Sequence, residues 1–405
     1  MINLLKTVVM KRIFAFTLLV ALMAGCKPKN VPADATTQTD TDITNAPQPA
    51  DANPMNSSTP APAPNGYYKQ LKGTIGQQDV QMNLVKTGNK LYGNYSYLEI
   101  GEFIDLTAPE NSDNIDENGN FTLAEFSNTK GEGYAQTGTF KGQIRPDGTV
   151  AGAWSSPDEK KIFNFTLNAI PLNGSADLQM VNINKQEGNC KTEEPCAHIE
   201  IIYPVIAKLP GENRQAVNNI NNAIARALAE SMPAEEPTPP QQAAEQFIAD
   251  FKEQDASYKM SWEHEVMTNI YHNANNLLSI GFSTYSFTGG AHPNHAEAFY
   301  NFNLLTGKQV ELSDIFSAGY EKRLTMLAEQ KLRKLYAIGA KTPLTEAGFF
   351  EDKFALNDNF SVSTTGIAFL FNPYEIAPYA MGEQLITIPW AEIKDMLKPG
   401  SIINW

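Results

Sequence analysis

The sequence predicts two folded parts in series. The first is an N-terminal all-β domain, a small antiparallel barrel or curled meander, and the second an α+β domain with an antiparallel sheet and flanking helices. Three observations predict this. Short apolar–polar alternations separated by turn formers fill residues 67–172. From 177 to 405, strand patterns share the chain with 3.6-residue periodicities, without regular βαβ alternation. Hydrophobic residues make up 42% of 405, ample for two cores.

Residues 1–26 have the order of a lipoprotein export signal. Met10, Lys11 and Arg12 give a basic start, an eleven-residue apolar stretch runs from Ile13 to Met23, and Ala24 and Gly25 precede Cys26. That stretch is far short of the roughly 20 residues that span a bilayer, so it is a signal core. Small residues let a signal peptidase approach the backbone, and the Cys26 thiol is the atom that takes the lipid. The residues before Met10 add nothing to the signal, which makes Met10 the better start. Lys27 stands where Asp would often mark inner-membrane retention, so the expected place is the outer membrane of a bacterial envelope, periplasmic or surface-facing.

Residues 27–66 are Thr, Asp, Asn, Ala, Pro and Ser and include Pro60-Ala-Pro-Ala-Pro64. Such a segment buries too little apolar surface to offset ordering entropy and reads as a disordered tether. As a flexible chain of about 39 residues it reaches roughly 35 Å.

In the β domain the alternating runs are Val80-Gln-Met-Asn-Leu84, Leu91-Tyr-Gly-Asn-Tyr95, Phe121-Thr-Leu123, Thr137-Gly-Thr-Phe-Lys-Gly142, Val150-Ala-Gly-Ala-Trp154 and Phe163-Asn-Phe-Thr-Leu167. Thr87-Gly-Asn89, Asn118-Gly-Asn120 and Pro146-Asp-Gly148 are hairpin turns between them, giving about eight strands. Gly93, Gly142 and Gly152 suit tight coiling, with an interior either filled by side chains or holding a ligand. Asn114-Ile-Asp-Glu-Asn-Gly-Asn-Phe-Thr-Leu-Ala-Glu125 has the oxygen spacing of a calcium loop. Its flanks read as strands rather than helices, so a hairpin turn is expected.

In the second domain His198-Ile-Glu-Ile-Ile-Tyr203 alternates as a strand. Val217, Ile220, Ile224 and Leu228 fall at helical spacing, and a second helix carries Phe247, Ile248 and Phe251. Strands follow over 258–272, 277–287 and 296–305. After Thr306-Gly307 come a short strand with Ser313-Asp-Ile-Phe316 and a helix through Leu324, Leu327 and Leu335. Two more strands, 360–371 and 384–388, precede a last helix with Pro389 at its first position.

Of three cysteines, one takes lipid; Cys190 and Cys196 are left as an even pair bracketing a short segment, which in an exported chain predicts a disulfide. Without the signal the chain has 28 basic against 45 acidic residues, a net charge of −17. That repels nucleic acid and steers a cationic protein toward the surface, less so as salt rises.

No catalytic residue, metal site or cofactor is read from the sequence. His292 and His295 stand three apart in a Gly-rich turn, too few ligands for a metal. Pairing 258–272 with 277–287 puts His264 opposite about residue 284, roughly 20 Å from the Gly290 turn. His264-Glu265 begins like H-E-x-x-H but meets Thr268 where the second His belongs. Glu375 has no second carboxylate fixed beside it. The segment Asn372-Pro-Tyr-Glu-Ile-Ala-Pro-Tyr379 is stiff, polar and aromatic: it reads as either a recognition surface or a plug over the sheet edge. His292, Asn294, His295, Tyr374, Glu375 and Tyr379 are the candidate recognition residues.

Several ordered motifs carry a resemblance. Thr288-Gly-Gly-Ala-His-Pro-Asn294 is followed by Tyr300-Asn-Phe-Asn303, Thr306-Gly-Lys308 and Leu312-Ser-Asp-Ile-Phe316. Gly366-Ile-Ala-Phe-Leu-Phe-Asn-Pro-Tyr-Glu-Ile-Ala-Pro-Tyr-Ala380 and Ile388-Pro-Trp390 come later. Over about residues 178–400 the chain resembles the RsiV-like family, extracytoplasmic domains of a lysozyme-sensing anti-sigma factor. These are also found beside the catalytic domain of PdaC-type peptidoglycan deacetylases. The β domain resembles one placed ahead of such domains in lipoproteins. The resemblance implies capture of a c-type lysozyme or a cell-wall glycan. The sequence offers neither the membrane-spanning helix of an anti-sigma factor nor the paired Asp and His motifs of a deacetylase. The expected function is therefore a lipid-anchored, non-catalytic envelope binding module. An envelope glycan hydrolase or deacetylase-like enzyme, and a structural part of an envelope assembly, are the alternatives.

Overall fold

The computed structural model describes residues 62–403, apart from 110–112, 130–132, 171–172, 193, 235 and 255–258. The signal, Cys26 and the tether up to residue 61 lie outside the described residues.

Eight strands follow one another and pair antiparallel in order: β1 (Gly66–Ile75), β2 (Gln78–Thr87), β3 (Lys90–Tyr97), β4 (Ile104–Thr107), β5 (Asn120–Thr129), β6 (Gly133–Ile144), β7 (Val150–Ser155) and β8 (Ile162–Ala169). The end of β1 pairs back onto β8, with Leu71 opposite Ala169 and Ile75 opposite Phe165, so the sheet closes into a barrel. Closure of so small a ring needs tight coiling. At Gly93 a Cβ would lie 1.9 Å from the Asn83 carbonyl oxygen on the paired strand, and no larger residue fits. Side chains of Leu71, Leu84, Leu91, Tyr95, Leu123, Phe140 and Phe165 fill the interior. Glu125 lies buried among them. It accepts hydrogen bonds from the Tyr95 hydroxyl (2.8 Å), the Thr137 hydroxyl (2.8 Å) and Trp154 Nε1 (2.6 Å). The calcium-like spacing is thus a turn: Asp116 accepts from Asn120 at 2.8 and 2.9 Å, and Glu125 is committed to the barrel core.

The barrel wall runs on into a second sheet. Gly66 and Tyr67 of β1 pair with Met180 and Gln179 of β9 (Asp177–Glu187). Next come β10 (Ala197–Lys208), β11 (Trp262–Ala274), β12 (Leu277–Phe287) and β13 (Asn294–Asn303). Cys190 and Cys196 form the expected disulfide just ahead of β10. The sheet is antiparallel except between β10 and β11, which run parallel because the crossover between them carries two helices. These are α1 (Arg214–Ser231), capped by Asn213 accepting from Ala216 N at 3.2 Å, and α2 (Pro240–Glu253), opened by proline. Their apolar stripes, Ile220, Ile224, Leu228, Phe247 and Phe251, pack on Ile199, Ile201, Val266 and Ile280. The barrel covers part of the opposite face. Val85 and Tyr92 pack on Ile202, and Asn94 Nδ2 donates to the Ile270 carbonyl at 3.1 Å. Strands β10 and β11 are therefore buried on both sides where the barrel sits.

Four expectations are corrected. β11 extends to Ala274 and turns through Asn275 and Asn276, both with positive φ (52° and 64°), the backbone of a two-residue hairpin. The longer strand and a bulge between Ile270 and His272 place His264 opposite Ser286, not residue 284. The region 360–371 is not one strand but β14 (Phe360–Val362) and β15 (Gly366–Phe371), parted by a turn in which the Ser363 hydroxyl accepts from Gly366 N at 3.1 Å. Ser313-Asp-Ile belongs to a helical turn, α3 (Leu312–Ile315), because Glu311 and Asp314 form a reciprocal capping box. Pro389 ends β16 (Gln384–Pro389) and caps α5 (Trp390–Ile393) from outside. With α4 (Glu321–Leu335), these elements enclose a further core of Leu324, Leu332, Phe349, Phe369, Phe371 and Ile388.

Candidate recognition site

The segments 288–295 and 372–379 meet. Tyr379 stacks on the His292 ring with centroids 4.0 Å apart and an interplanar angle of 25°. Its hydroxyl donates to the Pro293 carbonyl at 2.8 Å and lies 3.4 Å from His295 Nδ1. The Tyr374 hydroxyl is 3.4 Å from His292 Nε2, and the Tyr374 side chain is 56% exposed. Two tyrosines and two histidines so form one platform.

Side-chain amides hold the two segments together. β13 is an edge strand, and its free backbone groups need partners. Asn372 Oδ1 accepts from Glu297 N at 2.8 Å, and its Nδ2 donates to the Glu297 carbonyl at 3.2 Å. Asn359 does the same one step on, accepting from Phe299 N at 2.8 Å and donating to the Glu297 carbonyl at 2.9 Å. Asn372 is thus the pin that brings its loop against β13. Glu375 stabilises the loop itself, accepting from Asn372 Nδ2 (3.2 Å) and Asn357 Nδ2 (3.0 Å). Tyr374 adopts φ +71°, a strained angle for a bulky residue that the loop's other bonds enforce. Asn294 is exposed at the start of β13, opposite Ser286.

Beneath the platform are carboxyl groups that sequence reasoning did not single out. Burial pushes Glu383 up to about 7, with Asp105 adding to it, and burial lowers His295. Their 3.9 Å contact joins two groups whose neutral forms are both favoured, so it is weaker than an ion pair. Glu297 is half-buried and keeps part of its surface in water. Burial pushes it up to about 8, opposed by hydrogen bonds from the Tyr271 hydroxyl (2.7 Å) and Asn269 Nδ2 (3.2 Å). Gly281 makes the room: a Cβ there would stand 2.3 Å from the Glu297 carboxylate.

One pairing row extends the site across the sheet, from His295 on β13 to Tyr285, Glu265 and Glu200. Next to it His198 pairs with Glu263. Burial raises Glu265 to about 7, with Glu263 adding to it. Burial would raise Glu200 too, but Lys90 and Asn182 bond to it and hold it below the usual range. The i, i+2 spacing of His198 with Glu200 and of Glu263 with Glu265 was visible in the sequence as one polar strand face. Which strands adjoin was not. Glu383 stands in a loop with no pattern to mark it. His264 and His272 are not part of the site. His264 faces the helices beside Phe247, and His272 approaches the Ala274 carbonyl at 3.0 Å. A surface cavity of about 330 Å³ between Lys308, Asp314 and Lys398 lies at the far end of β13 and includes none of these residues.

Comparison with known proteins gives two family matches. Residues 190–295 match the family described as deacetylase PdaC, and residues 313–391 match a protein family of unknown function, DUF3298. The peptidoglycan-N-acetylmuramic acid deacetylase PdaC of Bacillus subtilis is 30% identical over 138 residues, 34% of this chain and 29% of that protein. The chain thus spans under a third of that relative. Two crystal structures of DUF3298 family proteins are similar. The one from Bacteroides fragilis has 21% identity and a TM-score of 0.46. The one from Pseudomonas aeruginosa has 19% identity and a TM-score of 0.43. Each covers 56% of this chain and 96% of the other. The PdaC-type relation is supported over that stretch of the chain.

Proposed function

We propose that this chain is a non-catalytic binding module of the cell envelope. It is held to a membrane, the outer one in our reading, by lipid on Cys26, and it captures a cationic protein such as a c-type lysozyme on the 292–295 and 374–379 platform. The carrying observation is that platform, where Tyr379 stacks on His292 and the exposed Tyr374 stands beside them. Rigid tyrosines supply contact area at little entropic cost, and the chain's net negative charge favours a basic partner. Capture of purified c-type lysozyme on immobilised protein at low and high salt tests it. Retention at low salt, weakened by salt and by Tyr374→Ala with Tyr379→Ala, is expected. No retention at either salt ends the reading.

The PdaC match over 190–295 favours a second reading, in which the same face meets a peptidoglycan glycan or acts on it as a deacetylase-like enzyme. Incubation with purified peptidoglycan separates the cases: pelleting without released acetate or fragments means binding, and release means catalysis.

A further inference from the structure

A second cluster lies on the parallel pair. His198 on β10 and Glu263 and Glu265 on β11 each place one ligand-capable atom within 4.8 Å of the others, all half-buried. Strand register produces this. His198 is paired with Glu263 and Glu200 with Glu265, and alternate residues of a strand share a face. The convergence therefore rests on the sheet backbone and not on a loop. Glu200 would complete the square, but Lys90 and Asn182 already bond to it. Among the described residues no lysine or arginine stands within ion-pair distance of Glu263 or Glu265. His198 Nδ1 lies 3.9 Å from Glu265 Oε1.

We propose that His198, Glu263 and Glu265 bind one divalent transition-metal cation of the zinc class. One imidazole nitrogen with carboxylate oxygens suits zinc and its neighbours, whereas calcium wants six to eight oxygen ligands. Tetrahedral bonds of about 2.1 Å place ligand atoms about 3.4 Å apart, so the site closes by rotation of the two glutamate side chains. Three protein ligands leave a coordination position open. Tyr285, paired with Glu265 on the next strand, adjoins it, so a bound cation would extend the platform with a point that takes an oxygen ligand. The site stands or falls independently of the partner proposed above.

Calorimetric titration of the full chain with zinc chloride alone near neutral pH tests this, with metal content measured after gel filtration. One zinc per chain is expected, and no heat from calcium. His198→Ala and Glu265→Gln should each weaken zinc binding at least about tenfold, while His292→Ala keeps it. Should His198→Ala not fold, Glu263→Gln and Glu265→Gln, which preserve shape, decide the matter with near-UV circular dichroism as the check. Absence of stoichiometric zinc in the wild type overturns the proposal. So does loss in His292→Ala with retention in His198→Ala, which would put the ion at the 292–295 turn.

Discussion

Replacing Glu297 by Gln should flatten the pH dependence of stability, and the structure sets the sign. The folded Glu297 carboxyl is pushed by burial from 4.5 to about 8. An unfolded carboxyl gives up its proton near 4.5, so between that pH and 8 the folded protein binds the extra proton. The stability linked to this group is fully present below about 4.5 and is lost as pH rises through 8. At about 1.4 kcal/mol per pH unit, moving from 4.5 to 8 corresponds to about 5 kcal/mol. Partial exposure to water leaves about half of that, ~2–3 kcal/mol. Gln keeps an acceptor for the Tyr271 hydroxyl and Asn269 but cannot ionise. Urea unfolding from about pH 5 to pH 9 should therefore show wild-type stability falling ~2–3 kcal/mol further than that of Glu297→Gln. Glu383, raised to about 7, adds a fall of the same sign that both proteins share. Parallel curves would refute the assignment of Glu297 as a carboxyl held in its protonated form.

Three further outcomes follow from the packing. Reducing the Cys190–Cys196 bond, which spans six positions, should cost about 2 kcal/mol by loop-closure entropy, read as a lower urea midpoint; an unmoved midpoint would contradict it. Neither ring nitrogen of His264 meets a hydrogen-bond partner among the described residues, so His264→Leu should stabilise by about 1 kcal/mol at neutral pH. Burial lowers His264 from 6.5 to about 4, so the wild type loses stability as pH falls through that window and the variant should lose less. Gly93→Ala forces a methyl group onto the Asn83 carbonyl and should cost at least about 2 kcal/mol in thermal unfolding, with retained stability counting against the tight barrel coil.

The chemistry of the candidate recognition site is shared between two kinds of element. Rigid strands carry Tyr285, Glu265 and His198, and loops carry His292, Tyr374 and Tyr379. Asparagine amides bonded to an edge strand couple the two, so the loops inherit the position of the sheet. That arrangement holds exposed aromatic groups in place without burying them.

What the sequence alone determined was periodic or local. Alternation and turn residues marked six of the barrel strands and a total of about eight, helical spacing specified α1, α2 and α4, and the even cysteine pair specified the disulfide. It also marked both loops of the platform, because glycines, prolines and tyrosines between strands are visible without partners. Tertiary structure decided the rest. Strand patterns do not state their neighbours, so the parallel β10–β11 pair, the shared strand β1 and the row from Glu200 to His295 could not be read. The two-residue error at His264 arose because a turn of Asn275 and Asn276 and a bulge set the register, neither of which hydrophobic alternation records. Glu297 and Glu383 became notable only once burial shifted their protonation, and burial is a property of what packs around a residue rather than of the residue itself.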